Sequence, residues 1–287
     1  MPTRAEAEQV ILERTAQNTA FKRSRNWSEF LDGILSIATG RTCDSLLIEG
    51  RIEAGDHARF LKVLTDHPLV FRVYLLSQGG SLIDGLAIGK EVRRRLMETY
   101  APHRYSSGNS TFTPRQDAPD SCREGRPCLC ASSCFLIWAG GIERHGNLLG
   151  LHRPSYDEAW FGALAPGEAA RRYAELMRVT QQYLADMEIE PRLAEKMVGT
   201  PKEHVFVVAS DQVISRTIEG YAPSTKEWIG ANCETLSPDE ERDDAAIGVR
   251  KQSLSPGYIQ YLERKSKNAR NCTLMHLMAA RLDVIRR

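Results

Sequence analysis

The chain lacks any apolar run approaching the roughly 18 residues that a membrane span requires, so no membrane-spanning segment is expected. Met1 to Trp27 is polar and mixed in charge and lacks the apolar stretch of a secretion signal. A cytoplasmic location is therefore the expectation, or a periplasmic one if an export signal has been removed. Neither sign of charge dominates: 38 Lys and Arg face 37 Asp and Glu, for a net charge of +1. Phosphate-binding surfaces usually show as a basic excess, so nucleic acid is not an expected partner. The local Arg93-Arg94-Arg95 run reads as the solvated last turn of a helix. No internal repeat is visible. The glycine pair Gly79-Gly80 lacks the Gly-Lys-Ser/Thr ending of a phosphate loop. No cofactor is called for.

What is present is an ordinary globular balance, 42% hydrophobic and 26% charged over 287 residues. That length suits one large domain, or a core domain with an appendage. The seven cysteines cannot all pair within one chain. Four cluster as Cys122, Cys128, Cys130 and Cys134. In an oxidising compartment this cluster would form disulfides. In a reducing one the thiols stay free, or bind zinc with His145 or His152, although the Cys-x-x-Cys knuckle of structural zinc sites is absent. A nucleophilic Cys134 is a further reading.

Residues 1–42 read as an N-terminal helical extension, with Val10, Ile11, Phe30, Leu31, Ile34 and Leu35 spaced among charges. From Leu46 the pattern changes. Leu46 to Ile48 reads as a strand, Gly55-Asp56 opens a helix through Phe60 and Leu64, and Val70 to Leu76 reads as a second strand. Leu82, Ile83, Leu86, Ile88, Val92 and Leu96 then recur with helical period. Such a βαβα series predicts a largely parallel sheet with right-handed crossovers. Residues 105–127, rich in Ser, Thr, Pro, Asp and Gly, read as an inserted loop. Beyond it come an apolar helix ending at Gly141, a strand over Asn147 to Leu151, and helices over Pro166 to Met187 and Pro191 to Val198. A strand over Val205 to Val208 and a short helix to Ile218 complete a core domain spanning 43–222. Residues 223–287 read as an irregular acidic linker followed by a helix over Tyr258 to Arg286.

Three segments can carry chemistry: Ser77-Gln78-Gly79-Gly80-Ser81, Cys130-Ala131-Ser132-Ser133-Cys134, and Leu149-Gly150-Leu151-His152-Arg153-Pro154. A serine hydrolase needs a nucleophilic oxygen, a base within reach, and donors aimed at the developing oxyanion. Ser132 stands among small residues at a helix start, where it is either a nucleophile or an N-cap. Gly79-Gly80 is either a tight turn or a source of amide donors. His152 ends an apolar strand, at the edge where α/β sites form.

Taken in this order, the three segments resemble the Clp protease proteolytic subunit and its crotonase-superfamily relatives. That family has a strand ending in a glycine-pair turn, an Ala-Ser step at a helix start, and a later strand ending in His-x-Pro. The resemblance covers Leu46 to Gly220. It implies an α/β fold with a ββα spiral core and mostly parallel strands. It further implies a peptidase with Ser132 as nucleophile and His152 as base, and an oxyanion hole built from the Gly79-Gly80 turn and the Ser133 amide. Ser133 remains an alternative nucleophile. The acidic third member falls near Val205, leaving Glu203 as the candidate and Asp211 as another. The helix over Pro166 to Met187 resembles the family's handle helix, which implies a homo-oligomer acting on peptide or protein substrates. Two other functions fit the same fold, a non-catalytic assembly subunit and a crotonase-type acyl-CoA enzyme.

Overall fold

The computed structural model describes residues 44–104, 110–111, 128–215, 217–250 and 254–286. The extension over 1–42, and the inserted loop apart from Ser110–Thr111, lie outside the described residues. The chain divides into two compact units, one running through Ala222 and one from Pro223 onward.

The first unit opens with β1 (Ser45–Ile52), α1 (Asp56–Asp66), β2 (Arg72–Gly80) and α2 (Leu82–Arg94). β1 and β2 run parallel from Ser45↔Arg72 to Ile52↔Gly80, with a bulge between Glu49 and Arg51. Every residue of β2 from Arg72 to Ser77 is buried. That near-continuous run marks a central parallel strand, covered on both faces. α1 contributes Phe60 and Leu64 to the core, and α2 contributes Ile88 and Val92.

β2 is the pivot of the sheet. Its start pairs in parallel with β3 (Glu98–Tyr100), while Ser77 near its end pairs in parallel with β6 (Cys130–Ala131). β3 leads on to β7 (Glu143–His145), and β6 to β8 (Leu149–Leu151), again in parallel. The chain therefore repeats one circuit three times: a strand in the first set, a strand in the second, then a helix. The first circuit uses both halves of β2 and then α2. The second uses β3, β6 and α3 (Ser133–Ala139), and the third β7, β8 and the helices α4 (Glu158–Gly162) and α5 (Pro166–Asp186). This is a ββα spiral. Antiparallel strands close the edges, β9 (Phe206–Val207) on β8 and β10 (Gly220–Tyr221) on β7. A small antiparallel pair, β4 (His103–Arg104) with β5 (Ser110–Thr111), stands apart.

A seven-residue helix such as α3 is too short to persist alone, since isolated helices need about 12–15 residues. It exists because Phe135, Leu136, Ile137 and Trp138 are completely buried, each worth about 2 kcal/mol of transfer free energy. Tyr183 of α5 donates its hydroxyl hydrogen to Leu136 O at 2.6 Å and fixes the outer side of this helix. Within the arginine run, Arg94 is exposed as expected, whereas Arg93 is not solvated. Arg93 donates to Gly140 O, Gly141 O and Met187 O and pairs with Glu188 at 3.1 Å, pinning the end of α5 to the turn after α3. Arg144 donates to Gly141 O and Met187 O as well. Burial, with Arg93 beside it, pulls the Arg144 guanidinium down to about 9.

Asp84 ties the glycine turn to α1. Its carboxylate accepts from the Ser81 hydroxyl at 2.6 Å and from the amides of His57 and Gly55 at 3.0 and 3.1 Å. Burial works against the charge, but these donors prevail and hold the carboxyl below its usual 3.8. A depressed folded-state value adds stability above the unfolded value near 3.8, and that stability is lost as pH falls through the lower folded value. Asp84→Asn is expected to cost about 2 kcal/mol at neutral pH, on the scale of hydrogen bonds to charged groups. The melting temperature should fall by roughly 4–8 °C, and the difference from wild type should shrink below pH 3.8. Thermal melts at several pH values measure both.

The second unit corrects an expectation. The segment read as an acidic linker forms two helices, α8 (Pro223–Asn232) and α9 (Pro238–Arg250), after α6 (Pro191–Gly199) and α7 (Gln212–Ser215) of the first unit. Ser237 and Glu240 make a reciprocal capping box at the start of α9, Ser237 N–H donating to Glu240 at 2.7 Å and Glu240 N–H to Ser237 Oγ at 3.3 Å. The Ser237 amide, then Lys265 and Tyr261, hold the Glu240 carboxyl down to about 2. The last helix, α10, covers Pro256–Arg286, and the Cys233–Cys272 disulfide joins it to the end of α8. Among the described residues no helix is long and apolar enough to cross a membrane.

Candidate active site

The ends of β2, β6 and β8 lie side by side, because the parallel register matches Ser77 with Cys130, Cys130 with Leu149, and Ala131 with Gly150. One or two residues past this register stand Gly79-Gly80, Ser132 and His152. The C-terminal edge of parallel strands is where α/β folds place their ligands. Ser132 and His152 line the same cavity of about 700 Å³, together with Ser77 to Gly80, Leu82 and Pro154 to Asp157.

Ser132 has φ 57° and ψ −124°. A left-handed φ at a non-glycine residue costs on the order of 1–3 kcal/mol and persists only where the surroundings enforce it. Here its N–H donates to Gly150 O at 2.9 Å and its own carbonyl accepts from Phe135 N–H at 3.0 Å. Ser132 occupies the N-cap position of α3, yet its side chain makes no capping hydrogen bond. The hydroxyl is thus not spent on the helix. Ser133 is placed differently: it is buried, absent from the cavity wall, and its Oγ has no hydrogen-bond partner among the described residues. The Ser133 amide begins α3 and has no intrahelical carbonyl to bond.

His152 is half-buried, and its Nδ1 lies 2.9 Å from Arg153 O. A carbonyl oxygen can only accept, so Nδ1 carries a proton, and the neutral ring in this arrangement has its lone pair on Nε2, the tautomer of a general base. The strand end is held in turn by Arg153 N–H donating to Thr200 O at 2.8 Å. No hydrogen bond joins Ser132 Oγ to the imidazole. Such contacts are often loose without substrate and tighten when it binds.

Gly79 brings the turn against Ser132. A Cβ there would lie 2.5 Å from Ser132 Cβ and 2.7 Å from Ala131 O, at a φ of +95°. Its amide donates to Ser77 Oγ at 3.0 Å, which corrects the expectation of an oxyanion donor at Gly79 and leaves Gly80 as the candidate of the pair.

No family model matches the sequence, and no curated protein matches it. Among solved structures, the chain is similar to ClpP1 from Listeria monocytogenes at 13% identity and a TM-score of 0.36, over 60% of this chain and 87% of that one. It is also similar to a mutant of the 1510-N membrane-bound stomatin-specific protease at 13% identity and a TM-score of 0.38, over 67% and 84% of the two chains. The spiral of strands described above defines the architecture. The first unit is an α/β core of mostly parallel strands wound as a ββα spiral, as expected for its fold.

The residues expected at the third catalytic position lie elsewhere. Glu203 is exposed and away from the cavity wall, and no hydrogen bond connects it to His152. Asp211 accepts from the amides of Val213 and Ile214 and serves as the cap of α7. The Arg153 carbonyl stands where an orienting carboxylate was expected. Glu49, Arg51, Tyr156 and Asp157 also line the cavity, although none was expected at the site. The one signal for them in the sequence is Gly50 between two charges in an otherwise apolar strand, at the bulge of β1 with φ +88°.

Of the readings open for the cysteine cluster, the structure holds the disulfide one. Cys130 and Cys134 are bonded to each other, so neither is a zinc ligand and Cys134 is not a nucleophile. Cys128 is disulfide-bonded too. Among the described residues, Cys233, Cys272 and His276 are close enough together to hold a metal, but the two sulfurs are joined as a disulfide and offer no thiolate pair.

Proposed function

We propose that this protein is a serine hydrolase of the peptidase class, with Ser132 as nucleophile and His152 as general base. The observation that carries the reading is the uncapped hydroxyl of Ser132, held at φ 57° in one cavity with an imidazole whose Nδ1–H is already committed. In this reading Nε2 takes the Ser132 proton as Oγ bonds to the substrate carbonyl carbon. The oxyanion draws on the amides of Gly80 and Ser133. Collapse of the tetrahedral species expels the amine, which leaves with the proton returned by His152. A water molecule, deprotonated by the same nitrogen, then releases the acyl group and restores Ser132. Throughout, Arg153 O steadies the imidazolium through Nδ1–H.

A fluorophosphonate probe followed by peptide mapping tests the assignment. The phosphonyl group should be found on Ser132, and His152→Gln should slow labelling by at least about 100-fold, the lower end of general-base contributions. A label on another residue, or an unaffected His152→Gln variant, overturns it. A non-catalytic assembly role is the second reading, favoured by the absence, among the described residues, of a carboxylate hydrogen-bonded to the His152 ring. It anticipates no labelling at all.

We also propose self-association through α5. Its first two-thirds, Pro166 to Val179, contain no buried residue, whereas Thr180, Tyr183 and Leu184 anchor its end in the core. The disulfides fit an oxidising compartment, the second of the two locations anticipated from sequence.

A further inference from the structure

The residue at the tip of the β6–α3 connection is bracketed by a covalent bond. Cys130 lies in β6 and Cys134 in the first turn of α3, both fully buried, with their Cα atoms 5.2 Å apart and their sulfurs joined. Between them stand only Ala131, Ser132 and Ser133. We propose that the Cys130–Cys134 disulfide is a positioning device for the nucleophile, one that holds Ser132 in its left-handed conformation facing the cavity. This inference rests on the serine hydrolase reading.

Several observations converge on it. α3 has only seven residues and lacks a side-chain N-cap, because the residue at that position is the candidate nucleophile. A helix start without a cap has little to stop its first turn from relaxing. The strand side, by contrast, is rigid. Cys130 pairs with Ser77 on one side and Leu149 on the other, and its N–H donates to Leu148 O at 3.0 Å. A bond from this strand to the first helical turn leaves the intervening residues few paths, and one of those is the observed φ of Ser132. A hydroxyl on a cap must choose between the helix and chemistry; the disulfide removes that choice. Closing so small a loop restricts the unfolded chain less than a long-range bridge would. Local geometry at Ser132 is therefore the larger consequence of this bond, ahead of global stability.

The test uses the full chain. In the Cys130→Ala/Cys134→Ala double variant, the limiting rate of fluorophosphonate labelling at Ser132 should fall by about 100-fold, the effect expected for a misplacement near 1 Å. The half-saturating probe concentration should stay within threefold of wild type. A purely structural role would instead lower the fraction of protein labelled while leaving the rate of the labelled fraction unchanged, and that result overturns the proposal. Wild-type protein unfolded and refolded under a dithiol reductant makes the same comparison without a core cavity. The S–S bond takes two electrons and two protons to become two thiols, while the dithiol closes to its cyclic disulfide. The rate should fall to a similar extent; labelling at the wild-type rate overturns the proposal.

Amide hydrogen exchange gives a readout that does not depend on activity. Removing the bond should speed exchange over residues 131–136, with other core strands unaltered, whereas unchanged exchange there overturns the positioning role. If wild-type protein takes up no probe, the hydrolase reading fails, and exchange alone decides whether the bond holds the turn. Alkylation of unfolded, unreduced protein must leave Cys130 and Cys134 unmodified. Their modification would remove the bond, and the proposal with it.

Discussion

Ser132→Ala is expected to abolish fluorophosphonate labelling, a loss of at least about 1000-fold, while Ser133→Ala keeps it at the wild-type rate. The two hydroxyls are adjacent in sequence and opposite in circumstance. That of Ser132 reaches the cavity and makes no bond to the helix it begins. That of Ser133 is buried without a partner among the described residues. Stability separates the readings as cleanly as activity. Were Ser132 an N-cap, its removal would cost about 1 kcal/mol; with no capping bond to lose, Ser132→Ala should melt within about 1 °C of wild type. Deleting the Ser133 hydroxyl relieves an unmet polar group, so Ser133→Ala should be neutral or should stabilise the fold by up to about 1–3 kcal/mol. Labelling and a melt on each variant check both statements. Labelling retained by Ser132→Ala would leave the fold intact and remove the proposed chemistry.

The strand ends that meet at the candidate site were legible because backbone chemistry marked them. A glycine pair after a buried strand, a serine among small residues before an apolar turn, and a histidine ahead of a proline each mark a strand end. Adjacent parallel strands then bring those ends together. Strands β3 and β7 were not legible. Glu98-Thr99-Tyr100 and Glu143-Arg144-His145 are three residues each and polar in composition, and their burial comes from partners distant in sequence. Arg144 and Thr99 are satisfied inside the core by backbone carbonyls, and composition cannot reveal such a partner. The helix α9 was a different kind of miss. Ser237-Pro238-Asp239-Glu240 carries a capping box, a proline at the first helical position and first-turn acids, all standard start signals. Net acidity obscured them. The orienting group for His152 could not have been found from side chains at all, because the contact is made by the backbone of Arg153.

The other large effect is expected at Gly79. Gly79→Ala places a Cβ 2.5 Å from Ser132 Cβ, 2.7 Å from Ala131 O and 3.0 Å from Ser133 N, at a φ of +95° that alanine resists. None of these neighbours is the free end of a flexible side chain. Two are backbone atoms of the turn that carries Ser132, and the third is the stem of the Ser132 side chain. Relief must come from moving that turn, so stability and labelling should fall together: stability by about 3 kcal/mol, the upper range for overpacking, and the labelling rate by about 100-fold or more. Gly55 provides the matched control, because its φ is +93° and nothing lies within 4 Å of the added Cβ. Gly55→Ala carries the conformational cost alone, about 1 kcal/mol, and should label at the wild-type rate. Melts and labelling rates for the pair separate left-handed strain, common to both positions, from contact with Ser132, which belongs to Gly79 alone. If Gly79→Ala labels as fast as Gly55→Ala, the glycine turn does not bear on the nucleophile, and the packing of β2 against β6 is not what sets the site.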